Sequence, residues 1–253
     1  MDPIITNALM TFGAGFTGAT FAKAKGPGQA LDDIMTLIGF EKLHEVAEKK
    51  RAKREQNIQA YKESIAQKII AIPEENIQEP PLAIVGPAIE ASKFHIEEEE
   101  LREMFANLIG SSMNTIKNME IHPSFVEIIK QLSVLDAKIL FSFGNTTSHP
   151  VGRIKQIVPN GYFILVDYFY LHESIKDYHL IELSKSISNL ERLGLIKISD
   201  EKICEKDYFL SKGTVDSFIN SLEIPNHSID IQCSRLDFTP FGNSFNKTCV
   251  KYE

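Results

Sequence analysis

Residues Pro81 to Asn114 read PLAIVGPAIEASKFHIEEEELREMFANLIGSSMN and set the architecture of the chain. The first part, Leu82–Lys93, predicts a helix in which Pro87 requires a break or a kink, because proline has no backbone N–H to donate. The second part, Ile96–Met113, repeats apolar residues every three or four positions and predicts an amphipathic helix. The acidic run Glu97–Glu100 suits the start of that helix, where the macrodipole favours negative charge. The apolar face consists of Leu101, Met104, Phe105, Leu108 and Ile109.

Helical patterns lie on both sides of this region. Ala30–Ile72 predicts one long helix, which Pro73 ends because proline cannot continue a helix without losing a hydrogen bond. Downstream, Pro123 suits the first helical position of another helix. Ser133–Asp136 has the composition of a capping box and predicts the start of a further helix. The helices between residues 82 and 143 follow one another without a long gap, which predicts a compact helical bundle.

The last hundred residues change from helical to β-rich patterns. Val151–Val158 and Tyr162–Leu171 are rich in β-branched and aromatic residues. Between them, Pro159-Asn160-Gly161 has the composition of a tight turn. The pattern therefore predicts a β-hairpin.

The residues after this hairpin have the element order of a winged helix. Asp177–Leu193 predicts an amphipathic helix, and Gly194 suits its C-terminal end because glycine tolerates a left-handed conformation. Leu195–Ile198 predicts a short strand, and a second strand is predicted much later, at Ile229–Cys233. A helix, a strand, a loop and a second strand follow one another in a winged helix, so we predict a winged-helix-like region.

These patterns together predict a mostly α protein with a small α+β part, in which a helical N-terminal part and a central bundle precede the winged-helix-like region. The predicted parts are an apolar N-terminal segment at residues 1–22, a long amphipathic helix and linker at 23–80, a helical bundle at 81–145 and a winged-helix-like α+β domain at 146–253.

Composition limits the class of protein. The chain has 253 residues and a formal net charge of −7, which argues against a generally basic nucleic-acid coat protein. Its three cysteines, Cys204, Cys233 and Cys249, form no C-x-x-C pair. A disulfide scaffold or a cysteine-rich zinc site is therefore not expected, and the reducing cytoplasm suits the chain best.

The segment Pro3–Ala22 reads PIITNALMTFGAGFTGATFA and carries no charged residue. About twenty apolar residues suffice to cross a bilayer as a helix, although the glycines and threonines make this segment a marginal case. Asp2 stands where a signal peptide would have basic residues, and Lys23 and Lys25 follow the segment, so we expect no secretion.

The same segment contains Gly13-Ala14-Gly15-Phe16-Thr17-Gly18, which matches the dinucleotide-binding pattern G-x-G-x-x-G. The surrounding pattern disagrees with a nucleotide site, because Lys25–Gly28 would end the following helix after barely two turns. Small residues four apart also permit close helix packing, in lipid or in a bundle, and we favour this interpretation. The small residues concerned are the pairs Ala14/Gly18 and Gly15/Ala19.

The sequence contains no recognisable catalytic constellation, and we expect no enzyme. It has no nucleophile elbow, phosphate-binding loop or paired-carboxylate signature. His172-Glu173 followed by His179 does not have the i, i+4 spacing of a zinc-binding helix. We therefore assign no catalytic residue, no cofactor and no metal ligand.

A winged helix invites a test for DNA binding, since its recognition helix would read base edges in the major groove. The predicted helix offers Lys185, Asn189 and Arg192 for such contacts. It also carries Glu182 and Glu191, which repel phosphate. We therefore do not expect nucleic acid as the main partner, and folding or protein contact is the favoured role of this helix.

Four stretches of the chain resemble the Abi-alpha family, whose members are abortive-infection, that is phage-defence, proteins of bacteria and their prophages. The resemblance runs through most of the chain from about Gly26 and is most specific in residues 81–140. It implies a role in antiviral defence and no catalytic residues. The four stretches are Pro81–Asn114, His122–Leu140 (HPSFVEIIKQLSVLDAKIL), Ile187–Ile196 (ISNLERLGLI) and Leu236–Phe245 (LDFTPFGNSF).

The leading hypothesis is a non-enzymatic abortive-infection protein. Residues 3–22 would be shielded at rest and released into the inner membrane after infection, on a signal from a phage or host protein. The protein would be cytoplasmic, and peripheral to or inserted in the inner membrane. The alternatives are a winged-helix DNA-binding regulator and a homo-oligomeric interaction module in which residues 3–22 complete the core of the oligomer.

Overall fold

The computed structural model describes residues 48–211, 213–222, 225 and 228–251. The chain is mostly α-helical with a small curled antiparallel sheet, as predicted. It divides into two compact units, of which the first runs through Gln131 and includes the C-terminal segment from Ser244, and the second is Leu132–Asn243. The apolar segment 3–22, with Ala14, Gly15, Gly18 and Ala19, lies outside the described residues, as does the predicted long helix before Glu48.

The first unit is built from helices. A 3₁₀ turn, Glu74–Asn76, follows Pro73, at which the predicted long helix was expected to end. The helices are α1 (Glu48–Ile70), α2 (Leu82–Ser92), α3 (Glu99–Ser112), α4 (Thr115–Asn118) and α5 (Phe125–Gln131).

Helix α3 is the centre of the first unit. Helices α1, α2 and α5 and the C-terminal segment all pack against it. The sequence predicts one apolar face, yet every residue from Met104 to Ser112 is buried. The reason is that α3 has partners on all sides, so its small residues, such as Ala106 and Gly110, are covered together with the predicted apolar face.

Two polar side chains of α3 hold the C-terminal segment, whose residues Asn246–Val250 form a π-helical turn. Asn107 Nδ2 donates to the carbonyl oxygens of Cys249 at 3.0 Å and Val250 at 3.2 Å. Ser111 Oγ donates to the carbonyl oxygen of Thr248 at 2.9 Å. The carbonyls at the end of a helix lack partners within the helix, so these buried donors satisfy groups that burial would otherwise leave unpaired.

The substitution Asn107→Ala tests this link. Removing the amide leaves two buried carbonyl oxygens without their donor, and we expect the free energy of unfolding to fall by about 2 kcal/mol. Urea denaturation followed by circular dichroism measures the change. The control is Gln56→Ala, at an exposed position of α1, which should leave stability within about 0.5 kcal/mol. Equal stability of the two variants would contradict the assignment.

The second unit combines helices with one sheet. Its helices are α6 (Val134–Ser142), α7 (Leu180–Arg192), α8 (Asp207–Leu210), α9 (Gly213–Ser221) and α10 (Pro240–Phe245), the last of which reaches the C-terminal segment. Its strands are β1 (Ser148–Val158), β2 (Gly161–Phe169), β3 (Ile196–Ser199) and β4 (Ile229–Phe238).

The strands lie in the order β2-β1-β4-β3, and all neighbouring pairs are antiparallel. The predicted hairpin is confirmed, since β1 and β2 are joined by Pro159 and Asn160 and close with the pair Val158↔Gly161. Gly161 has φ of 151°, a conformation that favours glycine. The short connection between the strands and the glycine at its end are therefore both present, as predicted.

The region predicted as a winged helix contains more elements than the predicted helix and two strands. Strand β3 pairs antiparallel with the second half of β4, from Ile196↔Phe238 to Ser199↔Arg235, whereas the stretch predicted as the second strand, Ile229–Cys233, pairs with β1. The loop between them contains α8 and α9, which the sequence analysis did not predict, and β4 pairs with β1 on its other side. The antiparallel sheet is therefore established, whereas the winged-helix assignment stays a prediction.

Helix α7 ends as its sequence predicts. Gly194 has φ of 71°, and the Leu195 N–H donates to the carbonyl oxygen of Leu190 at 3.1 Å, the long bond of a Schellman motif. The chain then passes very close to Gly242 of α10. A Cβ atom at Gly242 would lie 1.7 Å from the carbonyl oxygen of Leu195, so this crossing requires glycine.

The substitution Gly242→Ala tests the crossing. Because the obstructing atom belongs to the backbone, we expect a loss of about 3 kcal/mol in the free energy of unfolding. Thermal and urea denaturation measure it. The control is Gly213→Ala, where a Cβ meets nothing within 4 Å and little change is expected. A Gly242→Ala variant as stable as the control would show that the two segments do not approach this closely.

Candidate functional site

A surface groove of about 820 Å³ lies between α2 and α5 in the first unit. Helix α2 and the turn after it supply one wall, and α5 supplies two charged residues of the other. The lining residues are Gly86, Pro87, Glu90, Ala91, Phe94, His95, Glu127 and Lys130.

The groove follows from the composition of α2, which carries one charged residue, Glu90. The inward face of α2 is buried, as expected for a helix that packs on α3. Its outward face is also apolar, since Leu82 is 55% exposed, Ala83 and Pro87 are exposed, and Phe94 just beyond the helix is 76% exposed. A helix that is hydrophobic on every side is normally covered on every side. The outward face of α2 is therefore an incompletely covered surface.

The floor of the groove is made of small residues. A Cβ added at Gly86 meets nothing within 4 Å, so the space above this residue is open. Helix α2 is continuous through Pro87, so of the predicted break or kink no break occurs. The missing N–H of Pro87 leaves the carbonyl group of Ala83 without its helical donor, and Ala83 is exposed, so water can solvate this carbonyl.

The charged groups near the groove are paired with one another. Lys93 Nζ lies 3.0 Å from a carboxylate oxygen of Glu90, and Lys130 Nζ lies 2.9 Å from one of Glu127. His95 Nδ1 lies 2.6 Å from Glu98 Oε2. Each carboxylate therefore has a nearby basic partner, and the apolar floor is the main feature offered to an occupant.

The N-terminal part of α1 lies beside one end of this groove. Arg54 Nη2 donates to the carbonyl oxygen of Lys93 at 3.3 Å, and Lys93 is the residue before the exposed Phe94. Helix α1 therefore approaches the groove at Arg54.

The three residues predicted as candidate DNA contacts have different surroundings. Lys185 is exposed on α7. Asn189 Nδ2 donates to Asp136 Oδ2 at 2.9 Å, and Asn189 Oδ1 accepts from Arg192 Nη2 at 2.8 Å. Asp136 is 2% exposed, and its Oδ2 also accepts from the N–H of Ser133 in the predicted capping box, which is confirmed. Asn189 therefore links α7 to the first turn of α6.

The substitution Asn189→Ala tests this structural role. It removes a donor to a buried carboxylate, and we expect a destabilisation of about 2 kcal/mol. Chemical denaturation at neutral pH measures it. Lys185→Ala on the same helix serves as the control and should leave stability nearly unchanged. The structural role fails if Asn189→Ala costs no more than Lys185→Ala.

The thiol groups of the second unit are poor nucleophiles. Burial, with the neighbouring Cys204 thiol, raises the pKa of Cys233 to about 12. Burial also raises the pKa of Cys204. Both groups are therefore thiols at neutral pH, and the thiolate is the reactive form. The described ranges contain no group of three or more histidine, cysteine or acidic residues that could hold a metal ion.

Sequence analysis did not identify the groove, although the residues that form it were in the first stretch considered. The available signal was the apolar composition of α2 on both faces, together with Phe94 directly after the helix.

Among the helices of the described residues, none is long and apolar enough to cross a membrane.

The fold and the groove describe a mainly helical protein with an incompletely covered apolar surface. The family model described as abortive infection alpha matches residues 53–249. This match spans most of the chain, so the chain belongs to the abortive infection alpha family, and the resemblance seen in the sequence is confirmed. A search of curated proteins and a search of solved structures gave no match. The groove residues lie inside the matched region, whereas residues 3–22 precede it.

Proposed function

We propose that this chain is a non-enzymatic abortive-infection protein that acts on the inner membrane through residues 3–22. Membership of the abortive infection alpha family supports the role in phage defence. The resting protein would be cytoplasmic, and a phage or host protein would trigger its action. The described body would then carry and control a separate membrane-active segment.

The observation that carries the membrane part of this proposal is the absence of charge in residues 3–22. Twenty residues as a helix span ~30 Å, which is about the thickness of the hydrocarbon core. Lys23 and Lys25 follow the segment, where basic side chains can reach anionic lipid headgroups. Gly26-Pro27-Gly28 separates the segment from the next predicted helix.

Deletion of residues 2–22 tests the proposal. We expect the truncated protein to lose toxicity in phage-infected cells and to disappear from the carbonate-resistant membrane fraction, because the apolar segment is gone. Fractionation before and after phage challenge measures this loss. Circular dichroism should show that the remaining chain keeps its helical content. Full toxicity of the folded, truncated protein would refute membrane action through this segment.

A matched pair of variants tests whether a charge within the segment has a different effect from the same charge outside it. Gly15→Arg places a charge in the middle of the segment, at a cost to insertion of about 3 kcal/mol, and should reduce membrane recovery. Gln29→Arg adds the same charge beyond the segment and should retain it. Equal membrane recovery of these two variants would show that residues 3–22 do not enter the hydrocarbon core.

The edge of the sheet in the second unit favours self-association, through a surface separate from the oligomer core that residues 3–22 would complete. Strand β2 is at the edge of the sheet, and its side chains Tyr162, Phe163 and Ile164 are 52%, 61% and 48% exposed. Edge strands with exposed apolar side chains are sites of association. Light scattering of the full-length and truncated proteins distinguishes the alternatives, since an oligomer core completed by residues 3–22 dissociates on truncation.

The DNA-binding alternative rests on a winged-helix assignment of α7, β3 and β4, and Lys185 and Arg192 are exposed basic residues of α7. It requires duplex binding that weakens with salt and that Arg192→Ala reduces. Fluorescence anisotropy at low salt measures this binding. A salt-dependent signal would favour DNA binding over membrane action.

A further inference from the structure

We propose that, at rest, residues 3–22 lie in the groove between α2 and α5 of the same chain. This inference rests on the proposed function, because it names the surface that shields the membrane-active segment. The groove would compete with the bilayer for one apolar segment, and the trigger would act by weakening the contact with the groove.

The groove has an uncovered apolar surface. Phe94, just beyond α2, is 76% exposed and lines the groove together with the exposed Pro87. Leu82 and Ala83 are exposed at the start of α2 and extend this apolar surface beyond the groove lining. Burial of apolar surface is favourable in proportion to its area, so a covered groove is favoured over a hydrated one. A predominantly apolar occupant is therefore required.

The charged side chains of the groove are already paired, and the segment carries no charge. The carboxylates of Glu90 and Glu127 already have lysine partners on their own helices or immediately after them. An acidic or basic occupant would have to compete with these ion pairs. Residues 3–22 carry no charge and need no counter-ion, so they match the groove in this respect.

The chain between the segment and α1 is long enough to bring the segment to the groove. Arg54 contacts the carbonyl group of Lys93 at one end of the groove, and the chain before Glu48 includes the apolar segment. Residues 23–47 join the two, and even at the short rise of a helix they reach roughly 37 Å. Helix α2 is ~16 Å long, about half of the ~30 Å that residues 3–22 span as a helix, so the connection is long enough to place the middle of the segment along α2.

Small residues are present both on the outward side of α2 and in the segment. The outward side of α2 presents Ala83, Gly86 and Pro87, and open space lies above Gly86. The segment contains the small pairs Ala14/Gly18 and Gly15/Ala19. Small residues on both partners permit close approach of the two backbones. The large side chains of Leu82 and Phe94 would then contact the segment on either side of these small pairs.

Photo-crosslinking of the full-length protein tests this contact. The variant Phe94→p-benzoylphenylalanine should crosslink to a peptide within residues 3–22, as identified by mass spectrometry. Met119→p-benzoylphenylalanine is the control, since Met119 is 81% exposed in the same unit and does not line the groove. A mixture of unlabelled and ¹⁵N-labelled chains separates contacts within a chain from contacts between chains. Loss of the crosslink at position 94 in a folded protein, or crosslinks only between chains, would overturn the proposal.

A second pair of variants tests the regulatory consequence. Phe94→Glu places a charge at the groove and should release the segment, with increased membrane recovery before phage challenge. Met119→Glu should behave like the unmodified protein. Crosslinking reads the contact without any need for toxicity, so its result is independent of the proposed function. If the crosslink forms but the truncated protein stays toxic, the proposed function fails and the resting contact stands. If the amount of Phe94→Glu recovered with the membrane before phage challenge is unchanged, the regulatory role of the groove is refuted.

Discussion

The first unit depends on the complete burial of residues 104–112 of helix α3. Met104, Phe105, Leu108 and Ile109 have no exposed surface, and the polar residues between them are covered as well. A helix buried on all sides needs a partner on each side, and α1, α2, α5 and the C-terminal segment are these partners. The C-terminal segment therefore completes the first unit although the whole second unit precedes it in the chain.

This dependence explains why polar groups are tolerated in the interior. The carbonyl groups at the chain terminus would be costly to bury without donors, and Asn107 and Ser111 supply those donors from α3. Phe245 adds an edge-to-face contact with Phe125, with ring centroids 5.2 Å apart. Apolar burial and specific hydrogen bonds together place the segment, so its position is defined more closely than apolar contact alone would define it.

The features predicted correctly from sequence are those encoded over a few residues. The capping box at Ser133, the turn before Gly161 and the end of α7 at Gly194 each depend on local backbone chemistry. The features that were missed depend on distant partners. Asn107 meets the carbonyl group of Cys249, 142 residues away, and Asn189 meets Asp136, 53 residues away. A polar residue on a helix therefore resembles a candidate ligand contact until its distant partner is known. The helices α8 and α9 were missed because only short apolar patterns mark them.

Helix α2 has an inward and an outward apolar face, and the proposed resting contact would use the outward one. Its inward face is fixed in the core, so the groove persists whether or not a segment occupies it. A groove covers one side of a bound segment, whereas the hydrocarbon core of a membrane surrounds every side. Since apolar stabilisation scales with the buried area, the bilayer offers the segment more than the groove does. Under the proposed mechanism, only a kinetic barrier would therefore keep the segment in the groove, and the trigger would act by lowering that barrier.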